Sequence, residues 1–127
     1  MKLKISGIDH VNLEVIDLEV TCKFWNNLFG FEILEEIPDK NGKIIGNKNA
    51  LLALYETSGM REYKQVGFSH ISFHIVNFEE IEQKCNELGI EIKFNGPVQW
   101  PNSRSIYIDD PNGYEIELVE VWGGGLV

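Results

Sequence analysis

Ile8-Asp9-His10-Val11-Asn12-Leu13-Glu14-Val15 and, sixty residues further on, Phe68-Ser69-His70-Ile71-Ser72-Phe73-His74-Ile75 decide how this chain is read. Both stretches alternate with period two, the pattern of a half-buried strand. Val11, Leu13 and Val15 match Ile71, Phe73 and Ile75 on one face. His10, Asn12 and Glu14 match His70, Ser72 and His74 on the other. Self-similarity at a fixed offset marks a duplicated supersecondary unit.

The correspondence extends outward from these strands. Asp17 and Asn77 are suitable N-caps, and Glu80, three residues after Asn77, suggests a capping box. Apolar residues then recur at helical spacing, as Leu18, Cys22, Trp25, Leu28 and Phe29 and as Phe78, Ile81, Cys85 and Leu88. Phe24, Trp25 and Phe29 read as core. Gly30 and Gly89 follow as helix-ending residues able to take a left-handed conformation. After each glycine an alternating run predicts a strand, Phe31 to Leu34 and Ile90 to Lys93. Two further strands close each half: Lys43 to Ile45 with Ala50 to Glu56, and Ser105 to Ile108 with Tyr114 to Val121. The second pair is joined by the turn Asp110-Pro111-Asn112-Gly113. The offset there has grown to about 64, because the second half carries extra loop over Asn95 to Asn102. The expected class is α+β, with two tandem βαβββ modules, residues 6–56 and 66–121, inside one domain spanning 1–127. The tail, Gly123 to Val127, reads as a frayed end; with no helix after it, its glycine run is not a phosphate loop.

The chain has 127 residues, 43% of them apolar and 24% charged, which suits one globular domain. Eleven Lys and Arg against 20 Asp and Glu give a net charge of −9. That balance disfavours nucleic acid and anionic membrane surfaces, both of which need a basic face. It leaves room for a small-molecule substrate. The longest apolar run, Ala50 to Tyr55, is far short of the ~20 residues that span a bilayer. Met1 to Gly7 has two lysines but no apolar stretch behind them, so a cytoplasmic protein is expected. Cys22 and Cys85 lack metal-type spacing and are expected to be free thiols.

His10 and His70 hold the same place in each half, so a pseudo-two-fold packing of the halves would bring them together. On the last strand Glu115, Glu117 and Val119 share one face, and Ile116, Leu118 and Glu120 the other. Glu117 lies mid-strand, and its counterpart in the first half is Ala53, which cannot ligate. Two histidines and one carboxylate, leaving open positions, suit Fe(II), Mn, Co, Ni or Zn. One divalent ion per site, bound by His10, His70 and Glu117, is therefore expected.

These residues resemble the vicinal oxygen chelate superfamily, which includes glyoxalase I, fosfomycin-resistance proteins, extradiol ring-cleaving dioxygenases and bleomycin-binding proteins. The resemblance is carried by Gly7-Ile8-Asp9-His10-Val11, by Phe24-Trp25 with Leu28-Phe29-Gly30-Phe31, by Ser69-His70-Ile71, and by Arg104 through Leu118. It implies the glyoxalase/bleomycin resistance/dihydroxybiphenyl dioxygenase fold of cupped mixed sheets. It implies that His10, His70 and Glu117 fall on the metal-ligand positions, and that such chains form homodimers that often complete each site across subunits. Glyoxalase I has a glutamate where Ala53 stands, which counts against ordinary glyoxalase activity. Fosfomycin-resistance proteins and extradiol dioxygenases use three ligands and place a tyrosine ten residues before the glutamate. Tyr107 stands there, implying a catalytic or substrate-bonding phenol.

The expected function is thus a divalent-metal-dependent enzyme acting on a small substrate chelated through vicinal oxygens, of lyase, isomerase or ring-cleaving dioxygenase type. The alternatives are a fosfomycin-resistance-like transferase or hydrolase and a metal-free, bleomycin-resistance-like binding protein. Asn12 and Ser72, on the histidine faces, are candidates for substrate binding, as are His74 and Arg104. At ~3.4 Å per residue His74 lies about 13 Å from His70 and cannot share its ion. Glu115, nearer the turn, reads as solvated. The loop around Trp100 is a candidate lid or dimer contact.

Overall fold

A computed structural model describes residues 1–60 and 67–126 of the chain. The expected first residue of the second module, Val66, and the last of the tail, Val127, lie outside the described residues. The chain divides into two compact units, Met1–Arg61 and Glu62–Val127. The class is α+β, each unit being built on one four-stranded mixed sheet.

In the first unit β1 (Val11–Val15), α1 (Leu18–Phe29), β2 (Glu32–Ile37), β3 (Gly42–Asn47) and β4 (Ala50–Glu56) follow in order. The strands lie β1-β4-β3-β2, with β1 parallel to β4 and the other pairs antiparallel. The second unit has β5 (His70–His74), α2 (Ile81–Leu88), β6 (Val98–Gln99), β7 (Arg104–Asp109) and β8 (Glu115–Val119). Its strands lie β5-β8-β7-β6, again with the first strand parallel to the last. The repeat is visible residue by residue in the register. Asn12 faces Ala53 as Ser72 faces Glu117, and Ile44 faces Ala53 as Tyr107 faces Glu117.

Local chemistry explains the elements. Asp17 accepts a hydrogen bond from the Val20 amide at 2.9 Å, and Glu56 accepts one from the Leu18 amide at 2.9 Å. Two otherwise orphaned donors at the start of α1 are thereby satisfied, and both carboxylates sit at the positive end of the helix. Gly30 ends α1 at φ 72°, and Gly89 ends α2 at φ 69°. The inward face of α1 places a fully buried Trp25 against Phe29 and Phe31, with centroids 5.3 and 5.7 Å away. Leu13, Val15, Ile45, Leu52 and Leu54 complete that core. In the second unit Ile106, Ile108, Ile116 and Leu118 are buried on one sheet face, with Ile81 and Cys85 buried on α2.

Two expectations are corrected. Asn77 makes no capping bond to the backbone. Its side-chain amide donates to the Glu80 carboxylate instead, and the chain enters α2 through a 3-10 turn, Phe78–Glu80. Ile90 to Lys93 is not a strand. The Ile90 amide bonds back to the Cys85 carbonyl, and the chain then forms a 3-10 turn, Lys93–Asn95, in which Phe94 (φ 58°) and Asn95 (φ 61°) are left-handed. Those dihedrals turn the chain before it can pair, and the edge strand shrinks to Val98–Gln99.

Gly46 is a position in the sheet of the first unit where a side chain would run into backbone. Its φ is +145°, and an added Cβ would lie 2.1 Å from the Ala50 carbonyl oxygen. Gly46→Ala is expected to lower stability by about 2–4 kcal/mol in urea unfolding. Gly59→Ala, which meets nothing within 4 Å, is expected to stay within ~0.5 kcal/mol of the parent.

Candidate functional site

Glu117 sits at the centre of β8 with 15% of its side chain exposed. A carboxylate at such a place must be fully hydrogen-bonded or neutral. Ser72 on β5 donates to its Oε1 at 2.5 Å. Ser105 and Tyr107 on β7 donate to Oε2 at 2.7 and 2.9 Å. His70 Nε2 stands 3.1 Å from Oε1. The pleat explains the convergence: Ser105 and Tyr107 are two residues apart on one strand, and Ser72 is the register partner of Glu117 on the other. Trp100 Nε1 donates to Ser105 Oγ at 3.1 Å, which leaves the serine proton free for Glu117.

Burial pushes the Glu117 carboxyl up, but the bonds from Ser72, Ser105 and Tyr107, together with His70, outweigh it and hold it below the ordinary glutamate value. Tyr107 moves the other way. Burial and the carboxylate it serves push its phenol up to about 12, so it is a proton-bearing donor at neutral pH.

Around this centre lies a second layer. Glu115, expected to be solvated, has only 18% of its side chain exposed. Its Oε2 is 2.6 Å from Lys93 Nζ, and its Oε1 is 3.6 Å from His70 Nδ1. Lys93 Nζ also lies 2.9 Å from Asp109. Burial pulls the Lys93 ammonium down, yet the two carboxylates prevail and its pKa is raised. Phe94, 62% exposed, meets Tyr107 edge-on at 5.3 Å, and His70 meets Tyr107 edge-on at 6.0 Å.

The remaining candidates fall as follows. Arg104 is engaged by two carboxylates, Glu120 at 2.6 Å and Glu79 at 2.5 Å, over the ring of Phe78. His74 is exposed on β5 and meets Trp122 edge-on at 5.9 Å. Asn12 is exposed on β1 opposite Ala53, which is 3% exposed. His10 precedes β1 in the first unit, with Nδ1 2.8 Å from Asp9 Oδ2. The structure therefore assembles His70, Ser72, Tyr107 and Glu117 within one unit. It adds Ser105, Trp100, Glu115 and Lys93, which the sequence reading did not assign to the site. Ser105 was findable, being one pleat repeat from Tyr107; Lys93 sits on an irregular loop and gives no signal.

Among the described residues no group of three His, Cys, Asp or Glu is placed to hold a metal ion. The His70–Glu117 pair nonetheless fits two ligands of one. Donors each ~2.1 Å from an ion, at roughly a right angle, lie about 3 Å apart, as Nε2 and Oε1 do.

The sequence model of the Glyoxalase/Bleomycin resistance protein/Dioxygenase superfamily matches residues 7–118. The chain belongs to this superfamily. Its relatives there include the fosfomycin resistance protein FosX of Listeria monocytogenes, 31% identical over 90% of this chain and 89% of that one. They also include a lactoylglutathione lyase of Salmonella typhimurium, 25% identical over 91% and 93%. A crystal structure of the Listeria FosX superposes with a TM-score of 0.79 at 27% identity, covering 97% of this chain and 98% of that one. Superfamily membership matches the architecture, two mixed sheets of one topology. No helix among the described residues is long and apolar enough to cross a membrane.

Ser105→Ala should raise the Glu117 carboxyl pKa, because one of the bonds holding it down is lost. Side-chain carboxyl ¹³C titration of both proteins measures this directly. The sign for stability follows. The Glu117 contribution is fully present above the ordinary glutamate value and is lost as pH falls through its depressed folded value. The variant should lose that contribution at a higher pH than the parent.

Proposed function

We propose that this protein is a divalent-metal-dependent enzyme acting on a small molecule through adjacent substrate oxygens, with His10, His70 and Glu117 as the three metal ligands. The observation that carries this reading is the His70–Glu117 pair, 3.1 Å apart, with the carboxylate kept ionised in a cradle of three hydroxyls. A carboxylate so held is an anion at neutral pH, suited to ligation and not to acid catalysis. An ion bound there would supply Lewis-acid stabilisation of negative charge developing on substrate oxygens. Ser72 and Ser105 fix the carboxylate plane. Tyr107 keeps its proton at neutral pH and has one O–H to donate, to Glu117 or to a substrate oxygen beside it. Asn12, His74 and Arg104 stand further out as substrate-binding candidates, Arg104 already holding two carboxylates.

Among the reactions named for its relatives, the fosfomycin-resistance type is favoured over lactoylglutathione lyase. Ala53, buried where a fourth carboxylate would be needed, supports that choice, as does the 31% identity to the Listeria FosX. Metal analysis after anaerobic equilibration with Fe(II), Mn, Co, Ni, Zn and Mg is expected to find about one ion per chain. His70→Ala and Glu117→Gln should each lose it. Iron would move the reaction towards ring cleavage, and no ion in the parent would leave the metal-free binding module as the reading.

We further infer a homodimer in which His10 of one chain serves with His70 and Glu117 of the other. Mixing inactive His10→Ala and His70→Ala chains under subunit exchange should then restore about a quarter to a half of parental metal content or activity, since mixed dimers keep one complete site. No recovery would place each site within one chain.

A further inference from the structure

Lys93 and Glu115 lie outside the proposed ligand set, yet both are tied to it. His70 and Glu115 are register partners on the parallel strands β5 and β8, and Asp109 faces Glu115 from β7. Lys93 reaches in from the left-handed turn after α2 and joins the two carboxylates, at 2.9 Å from Asp109 and 2.6 Å from Glu115. The free oxygen of Glu115 is turned towards His70 Nδ1, at 3.6 Å. The opposite nitrogen, Nε2, faces Glu117. The imidazole is thus bracketed by carboxylates, and the outer one is anchored by an ammonium. At the equivalent histidine the group near Nδ1 is the sequence neighbour Asp9, the counterpart of Ser69, at 2.8 Å.

We propose that Glu115, held in place by Lys93, is the positioning residue for His70. With an ion taking the Nε2 lone pair beside Glu117, the proton of the neutral ring would be carried on Nδ1, the side that Glu115 faces. The two ring nitrogens of a neutral imidazole are inequivalent, and the partner of one decides what the other can do. A glutamate alone would sample several rotamers; the Lys93 contact selects the one that addresses the ring. Ser69 Oγ also lies 3.2 Å from Nδ1, but a serine hydroxyl rotates freely and carries no charge. The role rests on His70 and Glu117 being ligands, as proposed above.

The test uses the full chain, Zn²⁺ as the probe and ¹⁵N-labelled histidine, at a pH where the imidazoles are neutral. In the parent, Zn²⁺ should shift His70 Nε2 and reveal a slowly exchanging Nδ1–H. Glu115→Gln should weaken Zn²⁺ binding by ~10–100-fold and speed exchange of that proton. Lys93→Met should speed the exchange too, and should add nothing further in the double variant, because it acts through Glu115. Should Glu115→Gln fail to fold, Lys93→Met still reads the exchange. Asp109→Asn removes the same charge from the cluster without touching the ring, and should leave exchange unchanged; Ser69→Ala should do likewise. A parental Zn²⁺ shift with exchange and affinity unaltered in Glu115→Gln overturns the positioning role alone. So does transfer of the effect to Ser69→Ala or Asp109→Asn. Absence of any Zn²⁺ shift at His70 in the parent overturns the ligand assignment itself, and this role with it.

Discussion

In each unit the first strand pairs in parallel with the last. Parallel neighbours cannot be joined by a tight turn, so the chain must cross over the sheet before returning. The helix and two intervening strands supply that crossing. The pairing also sets the chemistry. It lays β5 alongside β8 with His70 opposite Glu115 and Ser72 opposite Glu117, while antiparallel β7 brings Tyr107 to the other side of Glu117. Slipping one strand by a single residue would turn the polar set into the core and the apolar set into solvent. Burial of Ile106, Ile108, Ile116 and Leu118 on the reverse face therefore also fixes the register of the site.

The electrostatic organisation grows from that register. Three hydroxyl donors and the His70 ring surround one carboxylate, both oxygens of which are used. Two cations beside the site are each committed to two carboxylates, Lys93 on the turn after α2 to Asp109 and Glu115, and Arg104 on β7 to Glu79 and Glu120. In a chain of net charge −9, positive charge around the site is consumed internally. An ion drawn to Glu117 meets a neighbourhood whose remaining bias is negative.

What could be read from sequence follows the physics of each element. Strands with clean alternation and helices with capped ends were legible: α1 was outlined by Asp17 and Gly30, and β4 spans Ala50–Glu56 in sequence and structure alike. The face shared by Glu115 and Glu117 followed from strand period. Alternation over Ile90 to Lys93 does not report a partner in so short a run, and a left-handed Phe94 gives no sequence signal, whereas Asn95, next to Gly96, is a residue type that favours that conformation. The proximity of Lys93 to Glu115 was hidden for the same reason, since it depends on where an irregular turn points. Nearness to the turn suggests a solvated Glu115, but its side chain is 18% exposed and paired with Lys93.

The two halves are alike in path and unlike at the centre. The positions matching Ser72, Ser105 and Tyr107 are Asn12, Gly42 and Ile44. A glutamate introduced at Ala53 would thus arrive in the dry middle of a sheet with none of the hydroxyls that make Glu117 tolerable. Nor could the cradle be copied one residue at a time. A Cβ at Gly42 would stand 2.5 Å from the Tyr55 ring, so a serine there demands that Tyr55 move first. The asymmetry of the two halves is in this respect locked in: any route to a symmetric pair of carboxylates runs through several changes that are each unfavourable until the others are in place.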